Sequence, residues 1–285
     1  LSEQVTDNDV DLTPYMDILT KELLWEISQQ VRGTARHLNL SGWTSATPLE
    51  LRSLSLLLGE SLESINLSNT TINSDALYMA IATGTMETLT SLDMSACGAV
   101  TEDAFGWLAG QLGSVSRPCT ALTSLNASHC DRIKDRGLEY LGRGLPQLRY
   151  LDISYCPLVR VITMGGCRGV PPYPPHPPHP SLAKCTDTTC AYVAEGLPQL
   201  QSLSLAACEL VTEVGLCFLG RGCRDLRVLN VSGCTEVSVR GLDNLIAGLP
   251  YVQRASSYFG FKPVEDTLAV KLRLQWEVIR DSSAL

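Results

Sequence analysis

Aromatic residues are scarce in this chain. Only 4 Phe and 4 Trp occur among 285 residues, although 45% of the residues are hydrophobic. Aliphatic side chains, and leucine above all, must therefore fill a large core. No run approaches the roughly 20 apolar residues that cross a bilayer, and the opening LSEQVTDNDV lacks the basic and then apolar order of a secretory signal. We expect a chain that neither spans a membrane nor is secreted.

The sequence also lacks blocks of one charge and the short motifs of catalysis. Its net charge is -8 with acidic and basic residues interleaved, so we expect no nucleic-acid partner and no membrane partner. It has no G-x-x-x-x-G-K phosphate loop and no C-x-x-C metal pair. His129 adjoins Cys130, but adjacent residues in a strand-to-loop turn point apart. The sequence therefore predicts no enzyme activity, no catalytic or metal-binding residue and no cofactor.

One nine-residue template recurs along the chain. Its clearest copies are LTSLDMSAC at 89–97, LTSLNASHC at 122–130, LRYLDISYC at 148–156, LQSLSLAAC at 200–208 and LRVLNVSGC at 226–234, and two earlier copies carry Trp43 or Thr70 in place of the final cysteine. The fourth template position falls at Leu38, Ile65, Leu92, Leu125, Leu151, Leu203 and Leu229, in steps of 27, 27, 33, 26, 52 and 26 residues. The chain is therefore predicted to be a tandem array, with a short extension near 114–118 and an insertion about one repeat long after Leu151.

Each repeat combines two periodicities. Leu151 and Ile153 alternate as in a strand, and the leucines of DRGLEYLGRGL at 135–145 are spaced as in a helix. One strand-turn-helix unit cannot bury both apolar faces, so neighbouring units must stack into a parallel sheet on one side and helices on the other. Gly144 and Gly222 stand at the ends of predicted helices, and we expect them to adopt the left-handed C-cap conformation.

The phrases CDRIKDRGLEYLGRGLPQLRYLDISYC at 130–156 and CELVTEVGLCFLGRGCRDLRVLNVSGC at 208–234 resemble the cysteine-containing repeats of F-box/leucine-rich-repeat proteins. The terminal cysteine, the Gly-Leu pairs at 137/138, 215/216 and 241/242, and the 26-residue step carry the resemblance, which covers roughly residues 35 to 255. It implies an α/β fold: a right-handed leucine-rich-repeat solenoid with a parallel concave sheet and convex helices.

The 11 cysteines are predicted to be structural. Five of them end a template, namely Cys97, Cys130, Cys156, Cys208 and Cys234, and a thiol at this position packs as a small apolar group. Cys119, Cys217 and Cys223 fall on helical or inserted segments, where we expect them to pack as well. The number of cysteines is odd, and five of them recur at one packing position, so they are not expected to form disulfides. This indicates a reducing compartment, and we expect a cytoplasmic protein, in a cytoskeletal or ciliary structure.

The strands present short polar side chains on their outward face. One column comprises Asn39, Asn66, Asp93, Asn126, Asp152, Ser204 and Asn230, and a second, two residues later, is mostly serine. Such a ladder could bind a carbohydrate or a peptide backbone, but side chains this small offer little anchoring area. Tyr150 and His37 are the larger residues nearby, and of these Tyr150 is a candidate partner-binding residue. We expect partners mainly at the edges, the ends or the insertion.

The insertion at 165–185, GGCRGVPPYPPHPPHPSLAKC, is rich in proline, which favours polyproline II and forbids regular strand pairing. At three residues per turn His176 and His179 share one side, near Cys167 and Cys185. We interpret the segment as a flexible surface loop. A weak metal site and a ligand for an aromatic groove are the alternatives.

Residues 1–34 are predicted to form an N-terminal capping helix that starts at Thr13-Pro14 and buries Tyr15, Leu19, Leu23, Ile27 and Val31. The words ILTKELLWEI at 18–27 resemble the opening of an F-box. Thr20, however, stands where an F-box has proline, and the ten or so residues before the first repeat strand leave no room for a three-helix F-box. We therefore expect the ligase-adaptor surface to be absent.

The repeat solenoid is predicted to span 35–255 and to stop where Arg254 replaces a core leucine. A helical extension at 256–285 follows, with an apolar stripe of Val264, Leu268, Leu272, Trp276 and Ile279. The stripe could cap the last repeat or engage the groove of a partner, and these five residues are the other candidate partner-binding residues.

The function expected from this reading is a non-enzymatic scaffold that binds other proteins. Relatives built from such repeats include linkers in ciliary axonemes, so the resemblance implies a structural subunit of a large assembly. The alternative that it implies is the substrate-recognition subunit of an SCF-type ubiquitin ligase.

Overall fold

Nine short parallel strands form one sheet and follow each other in chain order. The computed structural model describes residues 8–16, 18, 20–45, 47–58, 60–82, 86–112, 119–156, 186–249 and 254–256. The strands are β1 (Asp9–Asp11), β2 (His37–Asn39), β3 (Ser64–Asn66), β4 (Ser91–Asp93), β5 (Ser124–Asn126), β6 (Tyr150–Asp152), β7 (Ser202–Ser204), β8 (Val228–Asn230) and β9 (Arg254–Ser256). The predicted parallel arrangement is confirmed.

The register of the sheet follows the template. All seven predicted marker residues, from Leu38 to Leu229, are paired with one another in sequence order. Leu151 pairs directly with Leu203, so the 52-residue step advances the sheet by one strand. The extension at 114–118 and the insertion at 165–185 lie outside the described residues.

Helices connect most strands and pack against their sequence neighbours. They are α1 (Lys21–Gln30), α2 (Pro48–Leu58), α3 (Ser74–Ala82), α4 (Glu102–Leu108), α5 (Asp135–Gly144), α6 (Asp187–Gly196), α7 (Glu213–Gly222) and α8 (Val239–Gly248). Between the helices and the sheet lies one continuous core that runs from Val10 to Leu249 and consists mainly of leucine. Each repeat thus buries its apolar faces against the next one.

A left-handed residue follows the strand in every predicted repeat. It stands directly before the terminal template position and is Gly42, Asn69, Ala96, His129, Tyr155, Ala207 or Gly233, with φ between 55° and 79°. The side-chain oxygen of the last strand residue accepts the N–H of the residue two positions later, which directly precedes the left-handed residue. Asn39 accepts from Ser41 in this way, and Asp93 accepts from Ser95. The short polar residues of the template therefore serve to turn the chain from strand to helix.

The glycines at the helix ends have a different role from the predicted one. Gly144 and Gly222 are the last residues of α5 and α7 but are not among the positive-φ glycines of the described chain, so the expected left-handed C-caps are wrong. A Cβ on Gly144 would overlap the carbonyl oxygen of Ala109, and one on Gly222 would overlap that of Ala194. Glycine is needed because neighbouring helices approach backbone to backbone.

The N-terminal segment is not one capping helix. A 3-10 turn covers Thr13–Tyr15, and α1 begins only after Thr20, whose hydroxyl accepts the N–H of Leu23. Before the turn, β1 adds a strand that the sequence reading missed, with Val10 opposite Leu38. The Asp11 side chain accepts the N–H of Thr13, two residues later, in the same way as the last residues of the other strands.

The sheet also extends further at its other end than predicted. β9 pairs with β8 so that Ala255, and not Arg254, takes the marker position opposite Leu229. The prediction that Arg254 stands at the marker position is therefore wrong. The helical extension predicted after residue 256 lies outside the described residues, and the domain boundaries stay a prediction.

Candidate partner-binding surfaces

The polar column on the sheet is engaged in local hydrogen bonds. The side-chain oxygens of Asn39, Asn66, Asp93, Asn126, Asp152 and Asn230 each accept a backbone N–H two residues on, at 2.8–3.1 Å. Neighbouring repeats also bond to each other within each column: the Ser41 and Ser68 hydroxyls lie 2.8 Å apart, and Asn126 donates to Asp93. Many of the hydrogen-bonding side chains on this face therefore stabilise the turns and connect neighbouring repeats.

Tyr150, the predicted partner-binding residue on the sheet, is the first residue of β6 and is 36% exposed. Its in-register neighbours, Ser124 and Ser202, are both short. Burial of part of the ring raises the pKa of the Tyr150 hydroxyl, and the nearby Asp152 carboxylate raises it further. Tyr150 is thus a single aromatic ring among small side chains. The other predicted partner-binding residues, Val264, Leu268, Leu272, Trp276 and Ile279, lie outside the described residues.

Two left-handed turn positions carry stacked rings. The His129 and Tyr155 centroids lie 4.4 Å apart with an interplanar angle of 7°, and Tyr155 is 51% exposed. The equivalent residues on either side, Ala96 and Ala207, are small. A left-handed conformation costs a residue with a side chain about 1–2 kcal/mol relative to the right-handed one. This exposed pair is a second, smaller candidate surface.

The third candidate surface is a groove between α1 and α2, at the N-terminal end of the array. It is open and has a volume of about 430 Å³. Leu24 and Leu54 form its buried apolar part, whereas Trp25 is 56% exposed and Leu49 is 62% exposed. The remaining lining residues are Glu22, Glu26, Ser28, Glu50 and Ser53. We call this surface the N-terminal groove.

The groove lies between α1 and α2, which contact each other least among the neighbouring helices of the described chain. At the α5–α6 contact, a Cβ on Gly142 would lie 2.8 Å from the Cα of Gly196, so the helices meet at glycine. Neither α1 nor α2 contains glycine, and Leu24 and Leu54 line the space between them. Side chains of this size hold two helices further apart than glycine does. The two exposed apolar residues consequently flank an opening instead of closing it.

Sequence reasoning missed the N-terminal groove. Of the expected stripe, Ile27 and Val31 are buried, but Leu23 is only half-buried. The next residue, Leu24, is buried in its place. Trp25 lies off this stripe, between Leu24 and Glu26. A tryptophan off the apolar face of an amphipathic helix is the signal that could have indicated a binding surface, because tryptophan is enriched at interaction hot spots.

The cysteines of the template are buried, as predicted. The Sγ atoms of Cys97, Cys130, Cys156 and Cys234 donate to a carbonyl oxygen of the preceding repeat, at 3.1–3.2 Å. Burial raises the pKa of Cys97, and it raises those of Cys119, Cys130 and Cys223 to about 12, which keeps the thiols protonated. Cys217 is exposed, so the prediction that it packs is wrong. Its position on α7 faces away from the buried Leu216 and Leu219.

Within the part of the chain that the structure describes, no three His, Cys, Asp or Glu side chains are placed to share a metal ion. None of the helices described there has the length and apolar character of a membrane span. The expectations of no metal, no cofactor and no catalytic residue remain predictions.

A family model described as "Leucine Rich repeat" matches residues 119–142, which contain β5 and most of α5. A solved structure described as "Crystal structure of Rad7 and Elc1 complex in yeast" aligns with 87% of this chain and 68% of that chain, at 16% sequence identity and a TM-score of 0.45. The repeat match agrees with the in-register parallel sheet and the leucine core that stacked strand-turn-helix units form. The chain is a leucine-rich-repeat solenoid.

Proposed function

We propose that this protein is a non-enzymatic scaffold that binds other proteins, as a structural subunit of a large assembly such as a ciliary axonemal complex. The proposal also assigns its repeats to the cysteine-containing type of leucine-rich repeat. No two of the nine cysteines in the described residues are joined to each other by a disulfide, which is compatible with a reducing compartment. We place the protein in the cytoplasm, in a cytoskeletal or ciliary structure.

The observation that carries the proposal is the position of the exposed apolar side chains. Of the eight large hydrophobic residues exposed in the described chain, four lie at the N-terminal end: Ile18, Trp25, Leu49 and Leu56. Clustered exposed apolar residues mark interaction sites on folded proteins. The strand-end polar groups of the sheet, by contrast, are engaged in turns and ladders. A rigid array with an apolar end suits a spacer that is anchored to a neighbouring subunit.

Affinity purification of the tagged full chain, followed by mass spectrometry, tests the proposal. We expect a defined set of cytoskeletal or axonemal subunits with the wild type and depletion of that set with Trp25→Ala. Leu210→Ala is the matched control, because it also removes an exposed large apolar side chain and lies outside the candidate surfaces. Recovery of no stable partner by the folded wild type would contradict the scaffold function.

The alternative is the substrate-recognition subunit of an SCF-type ubiquitin ligase. It derives from the resemblance of the repeats. Co-purification of the adaptor and cullin subunits of such a ligase, in place of filament proteins, would favour the alternative over the structural role.

A further inference from the structure

Seven residues directly precede strands β2 to β8 and form one row at the edge of the sheet, which we call the entry row. They are Arg36, Glu63, Thr90, Thr123, Arg149, Gln201 and Arg227. We propose that the entry row binds an acidic segment of a partner protein through Arg149 and Arg227. The row lies in the loops that lead into the strands, so it is distinct from the polar face of the sheet. This inference goes beyond the proposed function, because it assigns a second surface away from the N-terminal groove.

Backbone hydrogen bonds fix the spacing of the entry row. The carbonyl oxygen of each member from Arg36 to Thr123 accepts the N–H of the next member. The row continues in the same way, since Arg149 accepts from Gln201 at 2.8 Å and Gln201 accepts from Arg227 at 2.8 Å. Adjacent strands lie about 4.8 Å apart, so the backbones of Arg149 and Arg227, two strands apart, are separated by about 10 Å.

The first four members use their side chains within the row. The Arg36 guanidinium pairs with the Glu63 carboxylate at 2.8 Å. The Thr90 hydroxyl donates to the carbonyl oxygen of Glu63, and the Thr123 hydroxyl donates to that of Thr90. This half of the row therefore has its polar side chains engaged inside the protein.

The last three members differ from the first four. Arg149 and Arg227 are both exposed, and within the described part of the chain neither guanidinium has a hydrogen bond or an ion pair. Gln201, between them, is neutral and half-buried. Asp225 is the acidic residue nearest to Arg227 in sequence, but the stretch 224–227 has two arginines against this one aspartate and stays positive. The second half of the row thus presents two cations to solvent at a fixed spacing.

The charge of the row indicates the class of partner. The chain carries a net charge of -8, and exposed cations of other repeats, Lys134 and Arg143, pair with glutamates. A short segment that contacts only the row responds mainly to Arg149 and Arg227, because more distant charges are screened beyond about 8 Å at physiological ionic strength. A long polyanion would also meet the acidic remainder of the chain, which disfavours nucleic acid and an anionic membrane.

The spacing of the two arginines specifies the segment further. An extended chain rises about 3.3 Å per residue, so acidic residues at i and i+3 lie about 10 Å apart and match Arg149 and Arg227. A guanidinium can donate two parallel N–H groups to one carboxylate, which adds geometric selection to the attraction. We therefore expect Asp or Glu at i and i+3 of an extended segment.

A displayed library of short peptides tests this expectation. Every position varies among Asp, Glu, Lys, Gln, Ser and Leu, and peptides that bind the Arg149→Glu/Arg227→Glu variant are removed first. Selection on the wild-type full chain is expected to enrich acidic residues at i and i+3. By fluorescence anisotropy, an enriched peptide should bind Arg149→Ala/Arg227→Ala at least tenfold more weakly, because each exposed ion pair contributes up to about fivefold. It should bind Arg36→Ala, the control from the same row, and Trp25→Ala as it binds the wild type.

Charge reversal and salt test the electrostatic origin of the binding. Selection on Arg149→Glu/Arg227→Glu itself is expected to enrich Lys in place of Asp and Glu. The enriched peptide should lose most of its affinity for the wild type at about 1 M salt, where the screening length is about 3 Å. Both arginines are exposed, so the double variants should keep the wild-type urea midpoint, and Arg227→Gln alone provides a second test if they do not.

No enrichment of acidic residues, or equal binding of the enriched peptide to the wild type and to folded Arg149→Ala/Arg227→Ala, would overturn the inference. Binding of heparin or of phosphatidylserine vesicles that depends on both arginines and is tighter than that of the peptide would also overturn it, in favour of a polyanion. Dimerisation of the wild type that Arg149→Glu/Arg227→Glu abolishes, measured by sedimentation velocity, would identify a second copy as the occupant instead. The scaffold function is tested separately, by the loss of partners from Trp25→Ala.

Discussion

Two alanine substitutions within α7 test the backbone-to-backbone packing of the helices. Gly220 and Gly222 lie two residues apart, and a Cβ on each meets a different environment. At Gly222 it would lie 2.5 Å from the carbonyl carbon and 2.6 Å from the Cβ of Ala194, in α6. At Gly220 the nearest described atom is the terminal Cδ1 of Leu245, at 3.1 Å. A side-chain end can move aside, whereas a helix backbone cannot do so without shifting a whole repeat.

The expected effects have opposite signs. Alanine in a helix is favoured over glycine by about 1 kcal/mol. Overpacking against an immobile neighbour costs about 1–3 kcal/mol, and a clash with backbone atoms lies at the upper end of this range. We therefore expect Gly222→Ala to lower the free energy of unfolding by about 2 kcal/mol, and Gly220→Ala to leave it unchanged or raise it by up to about 1 kcal/mol.

Urea denaturation followed by far-UV circular dichroism measures both variants. Repeat arrays unfold locally as well as globally, so amide hydrogen exchange in α6 and α7 should accompany it. We expect Gly222→Ala to speed exchange in both helices. Equal unfolding free energies for the two variants, or a Gly222→Ala variant as stable as the wild type, would refute the close approach of these helices.

Four further predictions concern the turns, the reactivity of the thiols, the ionisation of a buried thiol and the contacts between repeats. Ala207→Gly relieves a left-handed residue at φ 58° and should raise the free energy of unfolding by about 0.5–1 kcal/mol, since the relief exceeds the extra chain entropy of glycine; a lower melting temperature would contradict this. Cys217 should react with iodoacetamide in the native protein, whereas Cys119, buried with a pKa raised to about 12, should react only after unfolding. The raised pKa of Cys119 stabilises the fold fully below pH 9, and this contribution, at most about 4 kcal/mol, should be lost as the pH rises from 9 towards 12; a urea midpoint that does not fall over that range would argue against it. Asp187 accepts the N–H and hydroxyl of Thr212 in the next repeat at 2.7 Å, so Asp187→Ala should lower the free energy of unfolding by about 2–3 kcal/mol, measured by the same urea titration, whereas a loss under 0.5 kcal/mol would exclude this role.

The repeat register could be predicted because it depends on few residues. A leucine or isoleucine at the marker position and an Asn, Asp or Ser after it recur, and four of the six steps are 26 or 27 residues. Each pair of consecutive marker residues is aligned in the sheet. The same signature was present at β1, where Val10-Asp11-Leu12 precedes Leu38 by 28 residues. It was missed because the apolar residue that begins the template has no counterpart there: Asp7 stands three residues before Val10, whereas Ala35 stands three residues before Leu38.

Other features depend on distances that one sequence does not contain. A glycine at a helix end is equally compatible with a left-handed cap and with a close helix contact, and only the conformation of Gly144 distinguishes them. The N-terminal groove depends on how far α1 lies from α2, which neither helix encodes alone. Trp25 was visible in the sequence, but its exposure follows from the position of α2.

Site-specific photo-cross-linking in cells tests the central claim, that partners bind at the N-terminal groove and not on the sheet. A benzophenone amino acid is placed at residue 25 in the groove, at residue 150 on β6, or at residue 155 beside the stacked histidine. The account predicts a strong adduct from position 25, to an identified assembly subunit, and little adduct from the other two. Adducts from positions 150 or 155 with none from position 25 would contradict it.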